Sequence, residues 1–147
     1  MGRNRGFDEG QVLRAAADTF VRGGYQATSI DDLVTALGVH RGSLYNAFGS
    51  KRGLFLKTLN RYIQSELEPL AGSDPDGVAD ELVHRDTLDL VLVAAIERGH
   101  DDAQVAAAVR SALSAVERAL RGSADADAAP DRAVEVLGAR LYARLTQ

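Results

Sequence analysis

The sequence predicts an all-helical protein. Three short N-terminal helices, the last two arranged as helix-turn-helix, lead into a long fourth helix and a small helical second part. Three observations predict this. Hydrophobic residues are 46% of the chain but aromatics only 5%, and much of the apolar content is alanine, the strongest helix former. Apolar residues recur at three- and four-residue spacing in almost every segment. Of the 3 prolines, two fall in one short stretch, Pro69 and Pro75, so most of the chain is left uninterrupted.

In order, residues 1–6 form a short basic arm carrying Arg3 and Arg5. Such arms are usually disordered, and one placed before a helix-turn-helix also suits a minor groove. Asp8 caps a first helix running to about Arg22, with Val12, Leu13, Ala16, Phe20 and Val21 as its buried stripe. Gly23 and Gly24 end it, and Tyr25 folds back on the core or offers its hydroxyl to a phosphate. Thr28 and Ser29 are both N-cap residues, each with an aspartate three residues on, the acid variant of a capping box. Ile30, Leu33, Val34 and Leu37 follow at helical spacing, and Gly38 supplies the left-handed residue that stops the helix. A second short helix runs from Arg41 to Phe48, with Leu44 and Phe48 as its core face. Gly49 ends it and Ser50 caps the fourth helix, which runs from Lys51 to about Glu68.

The outer face of residues 41–48 is the informative surface. A two-turn helix does not sustain itself and survives by packing on its neighbours. This one presents Gly42, Ser43, Tyr45 and Asn46, flanked by His40, Arg41 and Lys51. Small residues let a backbone approach closely. Arg and Asn hydrogen-bond base edges, while Tyr and Lys reach phosphates. The pattern fits a reading helix in a major groove. The competing interpretation is an ordinary three-helix core with a solvated polar face. A second clue lies in the first turn of the fourth helix. Lys51 and Arg52 are cations where the helix dipole prefers anions, and a docked phosphate would resolve the conflict.

Pro69 to Gly77 is the clearest break in composition. The helix-turn-helix unit itself is read as residues 1–50, and residues 51–147 as the connecting helix plus the second part. There, Val78 to Val83 predicts one or two helical turns. Thr87 to Arg98 is apolar nearly all round and predicts a buried central helix. Ala103 to Leu120 carries Val105, Val109, Leu113, Val116 and Leu120 on one side. Residues 122–129 read as a flexible acidic linker, and Pro130 opens a last helix. That helix shows Val134, Leu137, Leu141 and Leu145 at near-heptad spacing, a stripe for its own domain or for a two-fold mate.

The net charge of −4 argues against nucleic acid only if taken whole. Residues 1–66 hold nine Lys/Arg against six Asp/Glu, and residues 67–147 hold eight against fifteen. A basic end on an acidic remainder suits contact with DNA at one end. There is no cysteine, so disulfides and thiolate metal sites are excluded. The start has no apolar run for a signal peptide, and the longest apolar stretch, Leu90 to Ile96, is too short to span a bilayer. A soluble, cytoplasmic protein is expected. His40, His84 and His100 include no pair four apart, so no metal site is supported. Asp125, Asp127 and Asp131 lack the glycine and closing glutamate of a calcium loop. No nucleophile-base-acid set and no phosphate loop is evident. The reading is of a non-enzyme without cofactor.

At residues 12–55 these features coincide with a known pattern. The elements AA…F…GY…TS, a helix ending LGV, then GSLYNAFGSK and the following phenylalanine resemble the DNA-binding domain of the tetracycline-repressor (TetR) family of bacterial regulators. LVLVAAIERGHDDAQVAAAVRSAL is similar to the sixth and seventh helices of many members. The resemblance implies a helical regulatory domain that dimerises and binds a small ligand. By position, Arg41, Gly42, Ser43 and Asn46 would face bases, while Thr28, Tyr45 and Lys51, with backbone amides near Gly24, would hold phosphates. His40 lies in the reading turn. One further C-terminal helix is expected in that pattern, so the second part reads as shortened. The expectation is a homodimeric repressor on a palindromic operator of double-stranded DNA, off the membrane. Its small, mostly apolar effector would lie against Leu88, Leu92 and Ile96. The alternative is a shortened regulator that acts as a protein-interaction and dimerisation partner without an operator of its own.

Overall fold

The computed structural model describes residues 7–121 and 126–146, and every regular element among them is helical. Helix α1 spans Glu9–Gly23, α2 Ile30–Leu37, α3 Arg41–Phe48 and α4 Lys51–Tyr62. Helix α5 spans Pro75–His84, α6 Asp89–Glu97, α7 Ala103–Leu120 and α8 Ala129–Thr146. Short 3-10 turns precede α6, at Asp86–Leu88, and α8, at Ala126–Ala128. Arg3, Arg5 and Asp125 of the sequence reading lie outside the described residues.

Local chemistry accounts for the element ends. Asp8, Ser50, Asp74 and Asp102 each accept a backbone N–H at a helix start, which satisfies otherwise orphaned donors. Of the two candidate capping boxes, the structure forms the one of Ser29 with Asp32. Thr28 instead turns inward. Gly38 is left-handed at φ 63° and closes α2 by donating to the Val34 carbonyl at 3.1 Å.

The fourth helix is not uniform. After Tyr62 it widens into one π turn, Ile63–Leu67, then tightens to 3-10 over Glu68–Leu70. Pro69 has no N–H to give and ends the regular ladder. The wide turn keeps both Ile63 and Leu67 buried. Helix α5 is longer than the sequence suggested, because Asp74 caps it and Pro75 opens it.

One hydrophobic cluster runs through all eight helices. Phe20, Tyr25 and Phe55 meet at its N-terminal end, with ring centroids 4.8 to 6.0 Å apart. Residues Asp89 to Ala94 of α6 are all buried, as a centrally placed helix requires. Asp89 carries a charge into this core and is answered there. Arg140 of α8 grips it with two hydrogen bonds of 2.6 and 2.7 Å, and Arg144 adds a third contact at 2.8 Å. Arg144 also donates to the Val21 carbonyl at 2.6 Å, tying the last helix to the end of the first.

Candidate nucleic-acid interface

Helix α3 stands with Leu44 and Phe48 in the core and its remaining face outward. His40, Arg41, Gly42, Tyr45 and Asn46 are exposed, and Ser43 is half-buried. Nothing lies within 4 Å of where a Cβ on Gly42 would stand. Packing within the chain therefore does not require glycine there. His40 begins the helix without a side-chain cap bond. Arg41 is paired with Asp31 across the turn, so its guanidinium must be released before it reaches a base edge. The Ser29 hydroxyl and amide donate to Asp32 and hold its carboxyl below the usual carboxylate range, which keeps the turn ahead of α2 charged and fixed.

The remaining predicted contacts are engaged inside the chain. Thr28 is buried and its hydroxyl donates to the Gly24 carbonyl at 2.5 Å, so its side chain shapes the turn. Lys51 donates to the carbonyls of Tyr25 and Thr28 at 2.9 and 3.0 Å and sits 4.4 Å from the Tyr25 ring centre. An ammonium has three donors, so one remains for an outside acceptor. The conflict in the first turn of α4 is also settled internally. Arg52 forms a two-pronged pair with Asp102 at 2.6 and 2.9 Å and reaches Gln104 at 2.6 Å. Arg52 thus has an internal partner in place of the phosphate that the sequence suggested, while Lys51 meets only carbonyls. Bonding to Arg52 and to the start of α7 holds the Asp102 carboxyl far below its ordinary range.

Sequence reasoning missed the groups that hold this unit from behind. Glu97 accepts the Gln26 N–H at 2.8 Å. Arg98 lies 5.1 Å from the Tyr25 ring centre, a second cation on the ring that Lys51 also approaches. The loop after α6 thus grips the turn between α1 and α2. Asp89 carried the one available signal, a lone acid in an apolar run. The expected apolar wall does not form: Leu88 and Leu92 are buried in the core, whereas Ile96 is 61% exposed. His84 and His100 are both exposed.

Residues 12–58 match the family described as bacterial regulatory proteins, tetR family. Over nearly its whole length the chain is also similar to a solved structure. That structure is a cysteine mutant of the TetR family transcriptional regulator CifR, complexed with 26-bp double-strand operator DNA. The TM-score is 0.72 at 30% identity, covering 99% of this chain and 91% of that one. The chain belongs to the TetR family of DNA-binding transcriptional regulators. Two curated relatives of this TetR-family chain match more closely over its N-terminal part. The uncharacterized HTH-type regulator YezE of Bacillus subtilis is 44% identical over 66 residues, 45% of this chain and 34% of that protein. The HTH-type transcriptional repressor BdcR of Escherichia coli is 44% identical over 70 residues, 48% of this chain and 36% of that protein. The matched stretch thus spans about a third of the length of each of these two relatives.

Proposed function

We propose that this TetR-family chain is a ligand-responsive repressor that binds a palindromic operator as a homodimer. The observation that carries the reading is the outward face of α3. It is polar, small at Gly42 and Ser43, and exposed at Tyr45 and Asn46, while Leu44 and Phe48 anchor it from behind. Arg41, Gly42, Ser43 and Asn46 meet base edges. His40, Tyr45 and the remaining donor of Lys51 meet phosphates. Thr28 contributes by holding the turn on which these contacts depend.

One two-turn helix reads few bases, so two copies about one DNA turn, ~34 Å, apart are needed. Helix α8 supplies the surface for a mate. Ala133, Val136 and Arg140 face inward, while Val134, Tyr142 and Leu145 are 69%, 71% and 76% exposed. The leucine stripe thus divides, with Leu137 toward the core and Leu145 toward a second copy. Repression is supported by the likeness to BdcR, and operator binding by the likeness to the CifR complex. The effector reading now needs a site other than Leu88, Leu92 and Ile96.

Gel shifts against the DNA flanking the chain's own gene test the proposal. Tyr45→Ala weakens binding to all sequences alike. Ser43→Ala and Asn46→Ala change sequence preference, by about 1–3 kcal/mol per lost base contact. Undiminished binding in all three variants sinks the assignment of the face. Absence of any retarded band, in a chain that still self-associates, favours the interaction-partner alternative.

A further inference from the structure

Between α1 and α4 lies a cleft of about 240 Å³ that the DNA-reading face does not use. Its floor is Leu13, Ala17 and Thr58, all buried. Its rim is charged with both signs. Arg14 and Arg61 stand on it, and so do Asp18, Glu66 and Asp86. We infer that this cleft binds a small zwitterion of amino-acid size.

The state of those charges carries the inference. Several arginines elsewhere are matched, Arg41 with Asp31, Arg52 with Asp102, Arg98 with Asp101 and Arg140 with Asp89, whereas Arg22 of α1 meets only the Asp18 backbone carbonyl. At the cleft, two guanidiniums and three carboxylates share one mouth, yet no ion pair joins any of them to another described residue. A purely anionic ligand would meet three carboxylates, and a purely cationic one two guanidiniums. A ligand bearing one of each sign answers both sets, with its apolar part over Leu13 and Ala17. The volume is that of about eight waters at ~30 Å³ each, which suits a ligand of amino-acid size. Tyr62 forms one wall, and its hydroxyl donates to the Asp86 carbonyl at 3.5 Å. Its burial, with Asp86 and Glu66 beside it, pushes its pKa above the ordinary value.

A second observation concerns the helix that supplies the wall. Ser65 and Glu66 belong to the π turn of Ile63–Leu67. Such turns inside helices recur at functional sites. A molecule in the cleft would touch α1 of the reading unit, this turn of α4, and Asp86 at the start of the second part. It therefore deepens the repressor reading by supplying the effector's class and place, and its regulatory consequence rests on that reading.

The test is a titration of the full-length ¹⁵N-labelled chain, without DNA, with each standard L-amino acid in turn. At least one produces saturable amide shifts centred on Arg14, Ala17, Tyr62 and Ser65. Its affinity falls about tenfold or more in Arg61→Ala and in Asp18→Ala, each ~1.4 kcal/mol or more. Its N-acetyl and methyl-ester forms, which keep one charge each, bind at least as weakly. Both substituted side chains are exposed, and unchanged thermal melts confirm that the variants fold. No saturable shift with any amino acid up to millimolar concentration overturns the inference. So does binding that persists undiminished in both variants, or equal binding of the singly charged forms. Because DNA is absent, failure here leaves the operator reading standing, and failure of the gel shifts leaves this one standing.

Discussion

Gly42 separates what the chain needs for itself from what it offers a partner. It lies in the first turn of a helix, where glycine costs about 0.5–1 kcal/mol relative to alanine, and open space surrounds it. Gly42→Ala is therefore expected to leave the fold intact and raise its stability by about 0.5–1 kcal/mol in urea titrations. The same methyl group would stand between α3 and a base edge and weaken operator binding. A loss of stability would show that the position is internally packed. Thr28 and Lys51 teach the reverse. Both have the chemistry of phosphate ligands, and both are drawn inward by carbonyls at Gly24, Tyr25 and Thr28. Residue type and spacing were enough to find the exposed face from Arg41 to Asn46, since a short helix has only one apolar side to bury. They were not enough to assign Thr28, because a buried threonine and a capping threonine are the same residue in the same position.

At the scale of elements, charged pairs decide how the helices are held. Asp89, Arg140 and Arg144 join α6 to α8, and Arg144 continues to α1. Asp89→Ala would leave Arg140, 4% exposed, without its counter-charge. Such a change costs about 3–5 kcal/mol, measured as a shift in the denaturation midpoint. Replacing both partners, Asp89→Leu with Arg140→Met, should recover most of that loss, because no buried charge is then unmatched. Asp102 joins α7 to α4 through Arg52. Its carboxyl is held far below its ordinary value in the folded chain, so the unfolded state takes up a proton first as pH falls. The stability that the pair contributes is complete above about pH 3.9, the ordinary carboxylate pKa, and is lost progressively below it. Asp102→Asn should lower stability at neutral pH and flatten the acid limb of a melting profile taken against pH. An unchanged acid limb would dismiss Asp102 as its source.

For the molecule as a whole, the two ends of the chain differ in charge and in what they expose. The basic end displays α3, and the acidic end displays the outer face of α8. Two readers act together only if a second copy covers that face. The chain is expected to sediment as a dimer, and Leu145→Glu should yield a folded monomer with much weaker operator binding. Sedimentation velocity and circular dichroism on the same sample check both parts. A wild-type monomer at micromolar concentration would remove the dimer. Arg144 joins α8 to the end of α1, and Glu97 holds the turn that follows α1.

The sequence by itself determined the helices and the displayed face. Caps, left-handed glycines and apolar spacing act within a few residues, and their consequences are local. Only the tertiary structure decided which charges are matched. Glu97 meets Gln26 across 71 positions, and Arg140 meets Asp89 across 51. Those partners are chosen by the angles at which helices pack, and no spacing rule encodes an angle. The charged rim around Tyr62 became visible for the same reason, since packing α1 against α4 is what brings its residues together.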